Sequence, residues 1–204
     1  MLDVPLEVPL VFERITFWIN TSFYQKISNY LVLHAAAVTD QKKLIIFPGL
    51  SYTGKSTLAT HFLLRGWGVL SDELVPISFK DKMACPYPGP IKLKGPSPLL
   101  KSLKLSNIDL EIFEDKKLIY INRPYLPNPT AKITAFIFPH FSPNHDFHIK
   151  RLNFEEKFKA LLNNCVNFKN APKEAFHLLL ELAKGIPAYE LDYRDLDHLD
   201  LENL

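Results

Sequence analysis

Cysteine is nearly absent from this chain. Only Cys85 and Cys165 occur among its 204 residues, far apart and in no metal or redox spacing. A disulfide framework and a zinc site are therefore not expected, and a reducing, cytoplasmic compartment is the default. Long apolar runs are missing as well, none reaching the roughly 18 residues that cross a bilayer. The opening Met1-Leu2-Asp3-Val4-Pro5 lacks the basic and apolar regions of a signal peptide. No membrane partner is expected. Excess charge is also lacking: 24 Lys and Arg against 22 Asp and Glu leave +2, too little to argue for nucleic acid. Glycine is sparse, with 7 residues against 16 prolines, and four of the 7 (Gly49, Gly54, Gly66 and Gly68) fall in one short stretch. What remains is ordinary globular material, 47% hydrophobic and 23% charged, which excludes disordered and fibrous chains. Residues 1–204 read as a single domain without repeats or a long linker.

Local patterns predict a mixed α/β order. Residues 11–19 alternate and are rich in aromatic and β-branched types, which predicts a strand. Strands are expected at 31–38 and 43–48, joined by the polar turn Thr39-Asp40-Gln41-Lys42. A helix should open at Gly54 and run to Leu64, with Arg65-Gly66 as its stop. Val69-Leu70 then begins a strand ending at Ser71-Asp72-Glu73. Between Lys80 and Lys104, six lysines face one acid (Asp81) and five prolines intervene. That texture predicts irregular chain with a short helix near 97–103. Strands return at 117–121, 132–138 and 146–151. Asn153 should cap a helix with Glu156 completing a capping box. Asn170 should cap another, with Pro172 in its first turn and Gly185 at its end. From Pro187 a last strand and a short acidic helix are expected.

The informative segment is Gly49-Leu50-Ser51-Tyr52-Thr53-Gly54-Lys55-Ser56-Thr57. It fits the phosphate-loop pattern G-x-x-x-x-G-K-[ST], with an apolar strand before it and a helix after it. Gly49 and Gly54 permit backbone angles that turn successive N–H groups inward around a phosphate. The helix N-terminus adds partial positive charge. Lys55 supplies a point charge for the β- and γ-phosphates, and the Ser56 hydroxyl can ligate Mg²⁺. Gly49, Ser51, Tyr52, Thr53, Gly54, Lys55, Ser56 and Thr57 are thus the candidate ATP contacts. Asp72-Glu73 lies eighteen residues after Gly54 at the next strand end. A right-handed βαβ crossover would bring these acids beside the loop, to hold a metal or activate a nucleophile. The plain alternative is a solvated strand end.

Leu33-His34-Ala35-Ala36-Ala37-Val38, the phosphate loop, Arg65-Gly66-Trp67 and Ser71-Asp72-Glu73 together resemble the catalytic domain of HPr kinase/phosphorylase. The likeness is stronger to its short HPr-kinase-like relatives in peptide-modification clusters. It covers residues 31–79, with Ile91-Lys92-Leu93-Lys94 compatible beyond it. The resemblance implies the P-loop fold shared with phosphoenolpyruvate carboxykinase, a mixed β-sheet with flanking helices. It implies an ATP- and Mg²⁺-dependent kinase acting on a serine of a small protein or peptide. Asp72 would be the general base, His34 its support, and Ser56 and Glu73 the metal shell. Glu73 replaces the family's second Asp, and Thr57 stands where the bifunctional enzyme has Glu. The signature tied to phosphorolysis is replaced by Ala183-Lys184-Gly185-Ile186-Pro187, so a one-way kinase is expected.

Lys92 and Lys94 alternate on one predicted face and are candidate phosphate or substrate contacts, although lysines in such a stretch are commonly just solvated. Arg123 is a weaker candidate of the same kind. His61, His140, His145, His148, His177 and His198 form no metal-ligand pattern. Two other readings stay open: a small-molecule kinase on the same scaffold, and a nucleotide-sensing binding protein in which ATP orders the lysine stretch. The sequence leaves room for an oligomer.

Overall fold

The computed structural model describes residues 8–94, 97, 99–114, 118–122, 131–144 and 146–196. The organising element is strand β1 (Tyr30–Thr39), buried along its length except at Tyr30 and His34, which are half-buried. Gln41, with φ 75°, sits in the turn that follows. The Asp40 carboxylate accepts from the Lys42 and Lys43 amides at 2.8 and 2.6 Å. The chain then returns as β2 (Leu44–Pro48), antiparallel to the second half of β1.

The other edge of β1 is occupied twice. β3 (Gly68–Ser71) pairs with its second half and β4 (Leu74–Ser78) with its first, both antiparallel. Asp72 and Glu73 fall in the break between them. Beyond β2 the sheet continues through β8 (Ile133–Phe141), β10 (Ala188–Tyr193) and β9 (His148–Arg151), giving the order β3-β1-β2-β8-β10-β9. β8 is parallel to β2 and β10 parallel to β8, while β9 runs antiparallel to β10. A separate antiparallel sheet has the order β5 (Ile91–Lys94), β7 (Leu118–Asn122), β6 (Glu111–Glu114). The fold is mixed α/β, with a mixed sheet and flanking helices.

Strand alternation sorts the core into two layers. Leu31, Leu33, Ala35 and Ala37 of β1, with Leu44 and Ile46 of β2, pack toward α4 (Phe154–Asn163) and α5 (Pro172–Gly185). Ala36, Val38, Ile45 and Phe47 face the other way, onto Leu58, Ala59 and Phe62 of α2 (Lys55–Leu64). Ile91, Leu93, Ile119 and Ile121 of the small sheet and Leu103 of α3 (Leu99–Leu105) close over that second layer. α2 is therefore sandwiched between two sheets.

Several expectations need correcting. Residues 11–19 are not a strand but part of helix α1 (Val8–Lys26). Both edges of β1 are filled, since the chain at 164–167 bonds the edge of its first half that β4 leaves open. Denied that pairing, the segment satisfies its backbone within itself. The lysine stretch contains a regular strand, β5, and β6 had no counterpart in the sequence pattern. Asn153 and Glu156 do form the expected reciprocal capping box on α4. Asn170 does not cap α5. Ala171 holds that position, while the Asn170 amide donates to the Tyr24 and Ile27 carbonyls at 2.7 and 2.8 Å. The expected acidic helix lies outside the described residues. Among the described residues no helix is long and apolar enough to cross a membrane.

A buried amide fastens α1 to the sheet. Asn167 is 6% exposed. Its Oδ1 accepts from Val32 N at 2.8 Å, and its Nδ2 donates to the Tyr30 and Ile27 carbonyls at 2.8 and 3.3 Å. Asn167→Ala strands buried backbone groups, each worth about 1–3 kcal/mol. The variant should lose about 3 kcal/mol and melt roughly 10 °C lower. A thermal melt indistinguishable from the wild type would show that this pin is dispensable.

Candidate functional site

The loop between β2 and α2 is held from several sides. Gly49 N donates to the His34 carbonyl at 3.2 Å, tying the loop's start to β1. Tyr52 (φ 70°) and Gly54 (φ 100°) adopt left-handed backbone. At Gly54 a Cβ would also sit 2.0 Å from Tyr193 Oη. That hydroxyl donates to the Gly54 carbonyl at 3.0 Å, and burial pushes its pKa up, so it keeps its proton. Phe141 N donates to the Thr53 carbonyl at 3.1 Å. β8 and β10 thus fix the loop from below. No side chain caps the N-terminus of α2, which leaves its first N–H groups directed at the loop.

Above the loop lies a cavity of about 440 Å³ with buried charges of both signs. Lys55 is 6% exposed, and its Nζ donates to the Leu50 carbonyl at 2.7 Å. Burial lowers its pKa, while Asp72 and Glu73 pull the other way. Asp72 is 7% exposed. Burial pushes its carboxyl up to about 7, against the opposing Lys92 N–H and the nearby Ser56 hydroxyl. Lys92 N donates to Asp72 Oδ2 at 2.9 Å. Oδ1 is buried, with no atom among the described residues placed to bond it. A carboxyl so balanced can hold or release a proton near neutral pH.

The second acid has a different setting. Glu73 Oε1 lies 3.8 Å from His34 Nε2, and its Oε2 lies 3.9 Å from Lys92 Nζ. Burial lowers the His34 pKa, as do Lys55 and Lys94, and Glu73 only partly offsets them. Burial thus favours the neutral form of His34, in which its contact with Glu73 is not an ion pair. Lys94 Nζ sits 3.7 Å above the centre of the Tyr52 ring, a cation–π arrangement.

The structure gathers most of the sequence candidates. His34, Ser51, Tyr52, Gly54, Lys55, Ser56, Thr57, Asp72, Glu73, Lys92 and Lys94 all line this cavity. Gly49 and Thr53 do not; they line a second cavity of about 550 Å³ on the reverse side of the loop. Arg123 lies outside the described residues. The expected βαβ neighbours are not adjacent, because β1 stands between β2 and β3 and is antiparallel to both. Running against the same strand, β2 and β3 still point the same way, so their carboxyl ends share one edge. Sequence reasoning missed Glu13, Phe17 and Asn20 of α1 and Phe141 of β8, which also line the cavity. The spacing of Glu13, Phe17 and Asn20 carries a helical signal that the alternation over 11–19 obscured.

Among the described residues no group of three or more His, Cys, Asp or Glu could hold a metal ion by itself. The Ser56 hydroxyl and the Glu73 carboxylate, both lining the cavity, are nonetheless hard oxygen donors of the kind Mg²⁺ takes when phosphates and water complete its shell. No family model matches this chain, and no curated protein matches it.

The raised Asp72 pKa has a measurable consequence. Unfolded, the carboxyl ionises near 3.8; folded, near about 7. Between those values the folded state binds the extra proton, so its stabilising contribution is full below the lower value and lost as pH rises through the upper one. Asp72→Asn removes this dependence. Between about pH 5 and about pH 8, the wild-type urea midpoint should fall relative to the Asn variant. Parallel curves for the two proteins would refute the assigned titration.

Proposed function

We propose that this chain is an ATP- and Mg²⁺-dependent kinase of the HPr-kinase-like type, built on the P-loop fold shared with phosphoenolpyruvate carboxykinase. Its acceptor is a serine hydroxyl on a small protein or peptide. One observation carries the reading: a buried carboxyl balanced near neutrality, with one oxygen unpartnered, shares a cavity with a G-x-x-x-x-G-K-S loop and its lysine. Phosphate binding alone has no use for such a group. Transfer to a hydroxyl needs a proton acceptor beside the phosphates.

In this mechanism the loop N–H groups and the start of α2 hold the β- and γ-phosphates, and Lys55 turns from the Leu50 carbonyl to them. Lys92 and Lys94 add positive charge at the γ-phosphate side. The acceptor oxygen attacks the γ-phosphorus, the bond to the β–γ bridging oxygen breaks, and ADP departs with that electron pair. Asp72 receives the hydroxyl proton through its free oxygen. Neutral His34, beside Glu73, keeps that acid in place without adding positive charge. Ser56 and Glu73 would hold Mg²⁺, which when bound neutralises charge on the phosphate oxygens, and this leaves the free Asp72 oxygen to take the proton. Positioning and charge compensation do most of the work.

Two variants test the reading. Lys55→Ala should abolish the rise in melting temperature that Mg·ATP gives the wild type; an undiminished rise would remove the loop from the nucleotide site. Asp72→Asn should still bind Mg·ATP, while transfer to serine falls by about 10²–10⁴-fold. A wild-type rate in the Asn variant would pass the role of base to Glu73. Transfer only to small alcohols would favour the small-molecule kinase, and binding without any transfer would favour a nucleotide sensor.

A further inference from the structure

Helix α1 has two faces with different surroundings. Ile15, Trp18 and Ile19 are 51%, 70% and 49% exposed and do not line the cavity. Glu13, Phe17 and Asn20 follow at helical spacing on the opposite side and do line it.

Tyr87 shows which end of the cavity this face meets. Its Oη donates to Asn20 Oδ1 at 2.7 Å, and its ring centre lies 4.9 Å from that of Phe23. Its N–H donates to the Leu70 carbonyl at 3.2 Å, two residues before Asp72. The Glu73 charge helps raise the Tyr87 pKa, after burial. α1 therefore stands at the carboxylate end, where the acceptor must approach Asp72. The Asn170 amide holds Tyr24 near the end of α1, and Asn167 and Asn170 both hold Ile27 just after it.

The cavity is bipolar. Lys55, Lys92 and Lys94 stand on the loop and β5 side. Glu13, half-buried, adds a carboxylate on the α1 side and forms no ion pair among the described residues. Phe17 is 70% exposed at the rim. An exposed ring four residues from an unpaired acid suits a long basic side chain, its stem on the ring and its charge on the carboxylate. Resting on the kinase reading, we infer that α1 reads the acceptor: the occupant is a peptide segment with Lys or Arg beside the modified serine. The three lysines repel such a segment from the phosphate end and orient it toward Asp72.

The test uses the full chain and a library of serine peptides randomised on both sides of the serine, with incorporated phosphate located by mass spectrometry. The wild type should favour basic over acidic flanks by about tenfold or more. Glu13→Gln should erase that preference, Glu13→Arg should invert it, and Phe17→Ala should weaken it. The ratio is internal to each variant, so a drop in overall rate does not disturb it. Wild-type transfer without flank preference, or an unchanged ratio in both Glu13 variants, overturns the inference and leaves the kinase reading standing. Weaker Mg·ATP binding in Glu13→Gln with the ratio intact assigns α1 to the nucleotide and also overturns it. Mg·ATP binding without transfer to any peptide sinks both.

Discussion

One strand sets the distance between the loop that joins β2 to α2 and the two acids, Asp72 and Glu73. At His34 and Ala35, β1 bonds both neighbours in the same short stretch. Gly49 N donates to the His34 carbonyl at 3.2 Å, and Ala35 N donates to the Glu73 carbonyl at 3.2 Å. The loop leaves one edge of β1 where the acids interrupt pairing on the other. Backbone bonds therefore fix this juxtaposition before any side chain contributes. The run Ala35-Ala36-Ala37, fully buried, lets helix-bearing layers close on both faces of β1 without pushing those edges apart.

The electrostatics follow from that enclosure. Burial lowers the Lys55 pKa and raises that of Asp72, so each is driven toward its neutral form while their mutual attraction opposes the drift. The Leu50 carbonyl satisfies the ammonium locally. Under the proposed function a triphosphate would be a stronger partner, its negative charge favouring protonated Lys55 and working against ionised Asp72. Under that proposal the nucleotide would alter the proton affinity of the group beside it, with Lys92 and Lys94 compensating part of the effect.

Much of this arrangement was legible in the chain. The glycine spacing and the apolar run before it located the loop, and the next strand end located Asp72 and Glu73. Alternation in Ile91-Lys92-Leu93-Lys94 placed both lysines on the cavity, even within a stretch otherwise expected to be irregular. Misread positions share a physical cause: their neighbours lie far away in sequence. Residues 11–19 alternate locally, yet chain more than a hundred residues later closes the edge of β1. Asn170 looks like a helix cap from its neighbours, while its amide serves Tyr24 of α1 and Ile27 just after it, 146 and 143 residues earlier. Sequence pattern also gave no warning that β1 would separate β2 from β3, because pairing order is a property of the assembled sheet.

Tyr193 adds a consequence in time. Its hydroxyl holds the Gly54 carbonyl across 139 residues of chain, and β10 must be paired with β8 before that contact exists. During synthesis the glycine-rich turn emerges from the ribosome long before its support. A nascent chain therefore carries the complete phosphate-loop motif while the loop still lacks its floor. The support of this turn is therefore complete only once β10 has docked.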